Sequence, residues 1–209
     1  YTYRTDLDYE EFSTIAEHNL TLPGVYVGIR PQRQYPYGAL ASHVLGYLKQ
    51  WEKGDIPESA AREFNHYIGD DKGIAGVEAS MDHVLRGPEG RKTIVKDEKG
   101  RTLRMSDYLK PGFGAELQLT IDARKQYLVE NVLRRAGRAS GVIMDVNTGE
   151  VLAMASVPDY DPNAFIPSIS SERWKAYRSN VQLSPLTNRA ISEFTPGSTM
   201  KVPTAISGA

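Results

Sequence analysis

Apolar positions along the chain fall into short runs of differing period. Phe12, Ile15, Ala16 and Leu20 recur at roughly helical spacing behind Glu10 and Glu11, which predicts an amphipathic helix over residues 8–20. Leu22-Pro23-Gly24 ends it. Val25, Val27 and Ile29 then alternate with Tyr26, Gly28 and Arg30, the period of a strand. Tyr35-Pro36-Tyr37-Gly38 reads as a turn before an apolar stretch over residues 39–48. Residues 50–72 are polar and irregular, with one short helix expected near 58–64. Gly73-Ile74-Ala75-Gly76-Val77-Glu78 opens a helix running to Leu85, with Val77, Met81, Val84 and Leu85 as its apolar stripe, and Gly87-Pro88 stops it. Residues 92–96 and 101–105 flank Asp97-Glu98-Lys99-Gly100 as a hairpin.

The rhythm changes after residues 109–114, where Pro111-Gly112 and Gly114 give a linker-like composition. Glu116-Leu117-Gln118-Leu119-Thr120-Ile121 alternates as a strand, and Asp122 is a suitable N-cap for a helix through residue 135 with Ala123, Tyr127, Leu128 and Leu133 facing inward. Residues 139–146 form an apolar strand, Asn147-Thr148-Gly149-Glu150 a hairpin turn, and residues 151–157 the returning strand. A short helix is expected over residues 170–177. Strand, helix and hairpin in this order open an α+β or α/β sandwich, and the expected boundary is near residue 114, giving domains 1–114 and 115–209.

Composition narrows the class. The 209 residues carry 25 basic and 26 acidic side chains, a formal charge of 25 − 26 = −1, so nothing points to nucleic acid. The hydrophobic fraction of 40% is that of an ordinary globular protein, and no run of eighteen apolar residues predicts a membrane span. The absence of cysteine removes disulfide and thiol chemistry. His18, His43, His66 and His83 are scattered without metal-ligand spacing, so neither a metal nor a cofactor is expected.

Three features could carry chemistry. Arg86, Arg91, Lys92, Lys96, Lys99, Arg101 and Arg104 make the hairpin basic, offset by Glu89, Asp97 and Glu98. That fits a contact with an anionic glycan or lipid headgroup, but more simply a solvated face. Asp159-Tyr160-Asp161-Pro162-Asn163 could present two carboxylates, although Asx-turn chemistry accounts for the pattern. The third feature is Phe194-Thr195-Pro196-Gly197-Ser198-Thr199-Met200-Lys201. Of fifteen serines, only Ser198 has a lysine three positions on. Residues i and i+3 share a helical face, so a helix starting at Gly197 or Ser198 aims the hydroxyl and the amine the same way. A serine is a weak nucleophile until a base takes its proton, and a lysine made neutral by burial or nearby cations can be that base. Alone, the tetrad reads first as an N-cap serine beside a solvated lysine.

The flanks decide between these. Val142-Ile143-Met144-Asp145, Thr148-Gly149-Glu150-Val151-Leu152-Ala153-Met154-Ala155-Ser156, Tyr160-Asp161-Pro162-Asn163, Asn188-Arg189-Ala190 and Pro196-Gly197-Ser198-Thr199-x-Lys201 resemble, in order and spacing, a penicillin-binding protein transpeptidase domain. Upstream, Leu22-Pro23-Gly24-Val25, Tyr35-Pro36-Tyr37-Gly38, His43-Val44-Leu45-Gly46-Tyr47 and Gly73-Ile74-Ala75-Gly76-Val77-Glu78 with Leu85-x-Gly87 are similar to the pedestal of class B members of the elongation type, the penicillin-binding protein 2 group.

The resemblance covers essentially the whole chain. It implies an α+β architecture: an extended, non-catalytic pedestal over 1–114, then the opening portion of a penicillin-binding/β-lactamase-like transpeptidase fold over 115–209. It also implies a serine-type peptidoglycan D,D-transpeptidase of cell-wall elongation, with Ser198 as nucleophile and Lys201 as general base. The implied partners are peptidoglycan stem peptides, β-lactam antibiotics, a SEDS-type membrane glycosyltransferase and elongation-complex proteins. The implied location is the bacterial inner membrane, facing the periplasm, on a single-pass anchor outside these 209 residues. Tyr35, Tyr37, Gly73, Gly76 and Glu78 match as architecture rather than chemistry.

The family's Ser-x-Asn and Lys-Thr-Gly motifs do not occur before Ala209, so these residues alone are expected to be inactive. Two other readings share the tetrad. One is a serine β-lactamase or β-lactam sensor, for which the pedestal-like residues have no use. The other is a non-enzymatic pedestal module that binds a membrane glycosyltransferase.

Overall fold

A computed structural model of the chain describes residues 4, 7–18, 25, 32–50, 71–88, 90–98, 102–180 and 182–208. The expected strand at 25–29 and the short helix at 58–64 lie outside these residues, apart from Val25. The chain forms two compact units, Tyr1–Arg33 and Gln34–Ala209.

In the first unit, helix α1 spans Tyr9–Glu17. Its start is set by Asp8, whose side chain accepts from the Glu11 backbone while Glu11 reaches back to the Asp8 amide. This reciprocal box satisfies two N–H groups that the first helical turn leaves open. Arg4 pairs with Glu11 at 2.8 Å.

The second unit contains three two-stranded antiparallel pairs among the described residues. Helix α2 (Ser42–Leu45) leads into β1 (Leu48–Gln50), which pairs with β2 (Asp71–Gly73). The glycines of the 43–47 and 73–78 motifs have a steric reason. Gly46 has φ 86°, and a Cβ there would lie 1.8 Å from the Ala75 carbonyl oxygen. Gly76 has φ 58°, and its Cβ would lie 2.5 Å from the Val44 carbonyl oxygen. Two backbones cross here with no room for a side chain.

The single helix expected from residue 73 to 85 is instead two, α3 (Gly76–Ser80) and α4 (Asp82–Arg86), broken at Met81. Asp82 ties the second helix down, its carboxylate accepting from the Gly73 amide at 3.1 Å and pairing with Arg86 at 2.9 Å. The buried residue of α3 is Glu78, not an apolar one, and Met81 of the expected stripe is 38% exposed. Strands β3 (Arg91–Lys96) and β4 (Thr102–Leu109) form the expected hairpin.

Residues 116–121, expected as a strand, have no strand partner among the described residues along most of their length. Only the end is held, by Thr120 Oγ1 donating to the Val151 carbonyl at 2.7 Å and the Asp122 amide donating to the Leu152 carbonyl at 2.9 Å. Alternation describes two faces, but a strand also needs a neighbour for its ladder.

Helix α5 (Ala123–Arg134) begins at Asp122 as expected, the Asp122 carboxylate accepting from the Arg124 and Lys125 amides. Its inward face is different from the one expected. Tyr127 and Leu128 are exposed, and so is Ala123, whereas Gln126 and Glu130 are buried. Gln126 satisfies its amide as a strand would, accepting from the Met154 N–H at 2.8 Å and donating to the Met154 carbonyl at 2.9 Å. It also donates to Glu130 Oε1 at 2.8 Å. A polar helix face thus packs on the strand that carries Met154, because every buried polar atom on it finds a partner.

Strands β5 (Ala139–Met144) and β6 (Val151–Val157) pair around the Asp145 turn. Asp145 accepts from the Asn147 and Thr148 amides, which hold its carboxyl below the usual range. Ala153, Ala155 and Val157 on β6 are buried. Beyond β6, a one-turn 3-10 helix (Pro162–Phe165) and α6 (Ser171–Ser179) surround an aromatic cluster. Tyr47 stacks on Phe165 at 4.1 Å between centroids, and Tyr160 meets Tyr47 and His43 edge-on at 5.8 and 5.2 Å. Such offset and edge contacts suit the ring quadrupoles.

Candidate functional site

Ser198 lies in a 3-10 turn, Gly197–Met200, that runs directly into helix α7, Lys201–Ser207. Gly197 takes φ 55°, a conformation that favours glycine, and so turns the chain into the helix. The Thr199 side chain and amide both donate to the Pro196 carbonyl, and the Lys201 amide donates to the Ser198 carbonyl. In a 3-10 turn, residues i and i+3 eclipse each other, so Ser198 and Lys201 stand on one edge. Pro203 is the third residue of α7, early in the helix, where its fixed φ is compatible with the helical turn. Ser198 and Lys201 are both exposed, and neither side chain hydrogen-bonds to another described residue. The flanking Ile191, Phe194, Val202 and Ile206 are 65–74% exposed.

The segment entering this turn is firmly held. Arg189 is buried, and its guanidinium donates to the carbonyls of Leu183, Ser184 and Thr187. Its amide donates to Ser156 Oγ at 2.9 Å, while Ser156 Oγ donates to the Thr187 carbonyl at 3.1 Å. Asn188 accepts from the Ala190 amide at 3.0 Å, and Ser192 Oγ donates to the Asn188 carbonyl at 2.7 Å. His43 Nε2 lies 2.8 Å from the Pro185 carbonyl. A carbonyl only accepts, so that nitrogen carries the proton. Burial pushes the His43 pKa down, with Arg189 acting the same way and the Pro185 contact and Asp159 opposing.

The aspartate-rich loop is structural. Asp161 caps the 3-10 helix through the Asn163 amide, and Asp159 pairs with Arg134 at 2.6 Å. Asn163 clasps Tyr35, accepting from its amide and donating to its carbonyl, both at 2.9 Å. The Tyr35 hydroxyl donates to buried Glu78 at 2.9 Å, and the Tyr160 hydroxyl donates to the Ser42 carbonyl at 3.0 Å. The match of Tyr35 and Glu78 as architecture therefore has a physical content. On the basic hairpin, Arg91 and Asp107 form an exposed pair at 3.4 Å.

Comparison with known proteins gives the frame for this site. The family model for the penicillin-binding protein dimerisation domain matches residues 1–119, and that for the penicillin-binding protein transpeptidase domain matches residues 139–209. The chain belongs to the penicillin-binding protein family. It is 33% identical over 207 residues to the peptidoglycan D,D-transpeptidase MrdA of Escherichia coli K12, covering 98% of this chain and 32% of that protein. It thus spans about a third of the length of the curated relatives it matches.

Among solved structures, penicillin-binding protein 2 of Helicobacter pylori in complex with MreC superimposes with a TM-score of 0.74 at 27% identity, over 97% of this chain and 37% of that one. Pseudomonas aeruginosa penicillin-binding protein 2 in complex with WCK 5153 gives a TM-score of 0.62 at 30% identity, over 86% and 35%. The mixed helix-and-strand architecture is the one these penicillin-binding proteins share, as the sequence implied. Ser198 and Lys201 fall in the span matched by the transpeptidase model.

The buried polar residues that hold this span, Gln126, Glu130 and Arg189, carry no catalytic signature. Only Arg189 stood in a motif, and its task of gathering carbonyls is invisible until the loop is folded.

Proposed function

We propose that this chain is part of a peptidoglycan D,D-transpeptidase in which Ser198 is the nucleophile and Lys201 the general base. The observation that carries the reading is the placement of these two residues on one edge of the turn entering α7, within a transpeptidase-matched span. Ser198 Oγ attacks the carbonyl carbon between the two terminal D-alanines of a stem peptide while Lys201 Nζ accepts the hydroxyl proton. The tetrahedral intermediate collapses, the C–N bond breaks, and the proton leaves with the D-alanine amine. An amine from a neighbouring stem peptide then attacks the ester, gives up its proton and releases Ser198 with its hydroxyl restored. β-Lactams acylate the same oxygen by opening their ring amide.

The same reading gives residues 1–114 a non-catalytic pedestal role, with residues 115–209 beginning the catalytic domain. The pedestal binds a SEDS-type membrane glycosyltransferase and proteins of the elongation complex. The solved complex of a similar protein with MreC supports a partner of that kind. The protein then works at the inner membrane with these residues in the periplasm. Among the described residues no helix is long and apolar enough to cross a membrane.

The test is intact-mass analysis of the full-length protein after benzylpenicillin, with Ser198→Ala as control. A stable adduct on Ser198 supports the transpeptidase. Rapid loss of the adduct selects a β-lactamase. No adduct leaves a binding module.

A further inference from the structure

We propose that Arg189 is a positioning residue for acylation, acting through the backbone that delivers Ser198; this rests on the reading of Ser198 as the acylated nucleophile. Three observations carry it. Arg189 is 7% exposed, yet no carboxylate pairs with it among the described residues; its guanidinium is occupied by the carbonyls of Leu183, Ser184 and Thr187. A buried cation without a counter-ion is costly unless its donors are satisfied, and here the planar fork satisfies them by drawing one loop around itself. Second, the loop it holds includes Ser184 at φ 38°, a backbone conformation that a non-glycine residue keeps only when its surroundings impose it. Third, Arg189 is the last buried residue before Ser198, since residues 190–197 are half-buried or exposed.

The consequences run forward along the chain. The Arg189 amide is fixed to Ser156 on β6, and Asn188 ties the following turn through the Ala190 amide and Ser192 Oγ. Beyond that point the next backbone hydrogen bond among the described residues is the one to the Pro196 carbonyl, in the turn that carries Ser198. Arg189 therefore fixes the point from which the Ser198 segment leaves the sheet. Small displacements of a nucleophile cost rate without changing how substrate is held. Lysine retains the charge but offers a single point of donation, not a fork that spans three carbonyls.

The experiment is stopped-flow acylation of the full-length protein by a chromogenic β-lactam, reading the fraction of Ser198 labelled, the non-covalent dissociation constant and the acylation rate constant separately. Arg189→Lys is expected to label to full stoichiometry with an unchanged dissociation constant and a rate constant lower by about 10- to 100-fold. Ser156→Ala leaves the guanidinium in place, removes the contact to the Arg189 amide, and should slow acylation in the same way by a smaller factor. It decides the matter if Arg189→Lys does not fold. Reduced stoichiometry with a wild-type rate constant in the labelled fraction would show a structural role only and overturn the proposal. A wild-type rate constant at full stoichiometry would overturn it too. If the wild-type protein itself is not labelled at Ser198, the reading of the site fails first, and this inference with it.

Discussion

Glu130 Oε1 lies 2.8 Å from the backbone nitrogen of Ala41, a contact across 89 positions of sequence. Ala41 has φ 55°, so its N–H is presented by a backbone that alanine adopts only under constraint. The same carboxylate accepts from Gln126, and its other oxygen accepts from Arg134 at 3.0 Å. One buried acid thus joins α5, β6 by way of Gln126, and the entry to α2.

Removing that acid leaves several donors without a partner. Glu130→Ala is expected to destabilise the protein by about 2–4 kcal/mol, and Glu130→Gln by less, since an amide oxygen still accepts from Ala41. Urea unfolding of the two variants beside wild type checks this; equal losses would mean that the charge, not the acceptor, matters.

Tyr160 separates hydrogen bonding from packing. Tyr160→Phe loses the bond to the Ser42 carbonyl but keeps the ring against Tyr47, His43 and Phe165. The expected cost is about 0.5–1.5 kcal/mol or somewhat more, because a buried carbonyl is left open. Tyr160→Ala should cost about 3–5 kcal/mol. Thermal unfolding of both variants gives the comparison.

His43 predicts a pH dependence. Its folded pKa lies below the ordinary histidine value of 6.5, chiefly through burial. The unfolded chain therefore takes up the proton more readily. Its contribution to stability is full above pH 6.5 and is lost as pH falls towards the lower folded value. The slope from this one group cannot exceed about 1.4 kcal/mol per pH unit. Unfolding free energies measured either side of 6.5, for wild type and His43→Gln, should converge on the acidic side; parallel curves would remove His43 as the cause.

Lys201→Ala in the full-length protein should slow acylation by about 10²–10⁴-fold with no change in melting temperature. The side chain is exposed and bonds to no other described residue, so the fold has little to lose. Penicillin labelling at wild-type speed would assign the base to another residue.

The 209 residues by themselves are expected not to acylate at a useful rate. They hold Ser198 and Lys201, but α7 stands with Val202 66% and Ile206 74% exposed, so little packing fixes the hydroxyl against the amine. Intact-mass analysis beside the full-length protein decides it, and stoichiometric labelling of Ser198 in these residues alone would refute the expectation.

Local chemistry was legible in the sequence. Asp122 caps the helix it precedes and Asp161 makes the Asx-type contact that starts the 3-10 helix, because a cap needs only residues within one turn. The β5–β6 hairpin follows from two apolar runs around Asn147-Thr148-Gly149, and the helical turn beginning at Gly197 lies where the sequence placed it. Partners distant in sequence were not legible. The inward face of α5 is set by Gln126 and Glu130 instead of Tyr127 and Leu128, because a polar side chain is buried without penalty when the opposing backbone completes it, and that backbone is Met154 and Ala41. The alternating segment at 116–121 has the pattern of a strand, but a ladder depends on a neighbour that no local pattern supplies. Arg189 looks like any arginine until residues 183–187 fold around it. Periodicity and spacing are properties of the chain itself, whereas the satisfaction of a buried polar atom is a property of two segments at once, and only the tertiary structure brings them together.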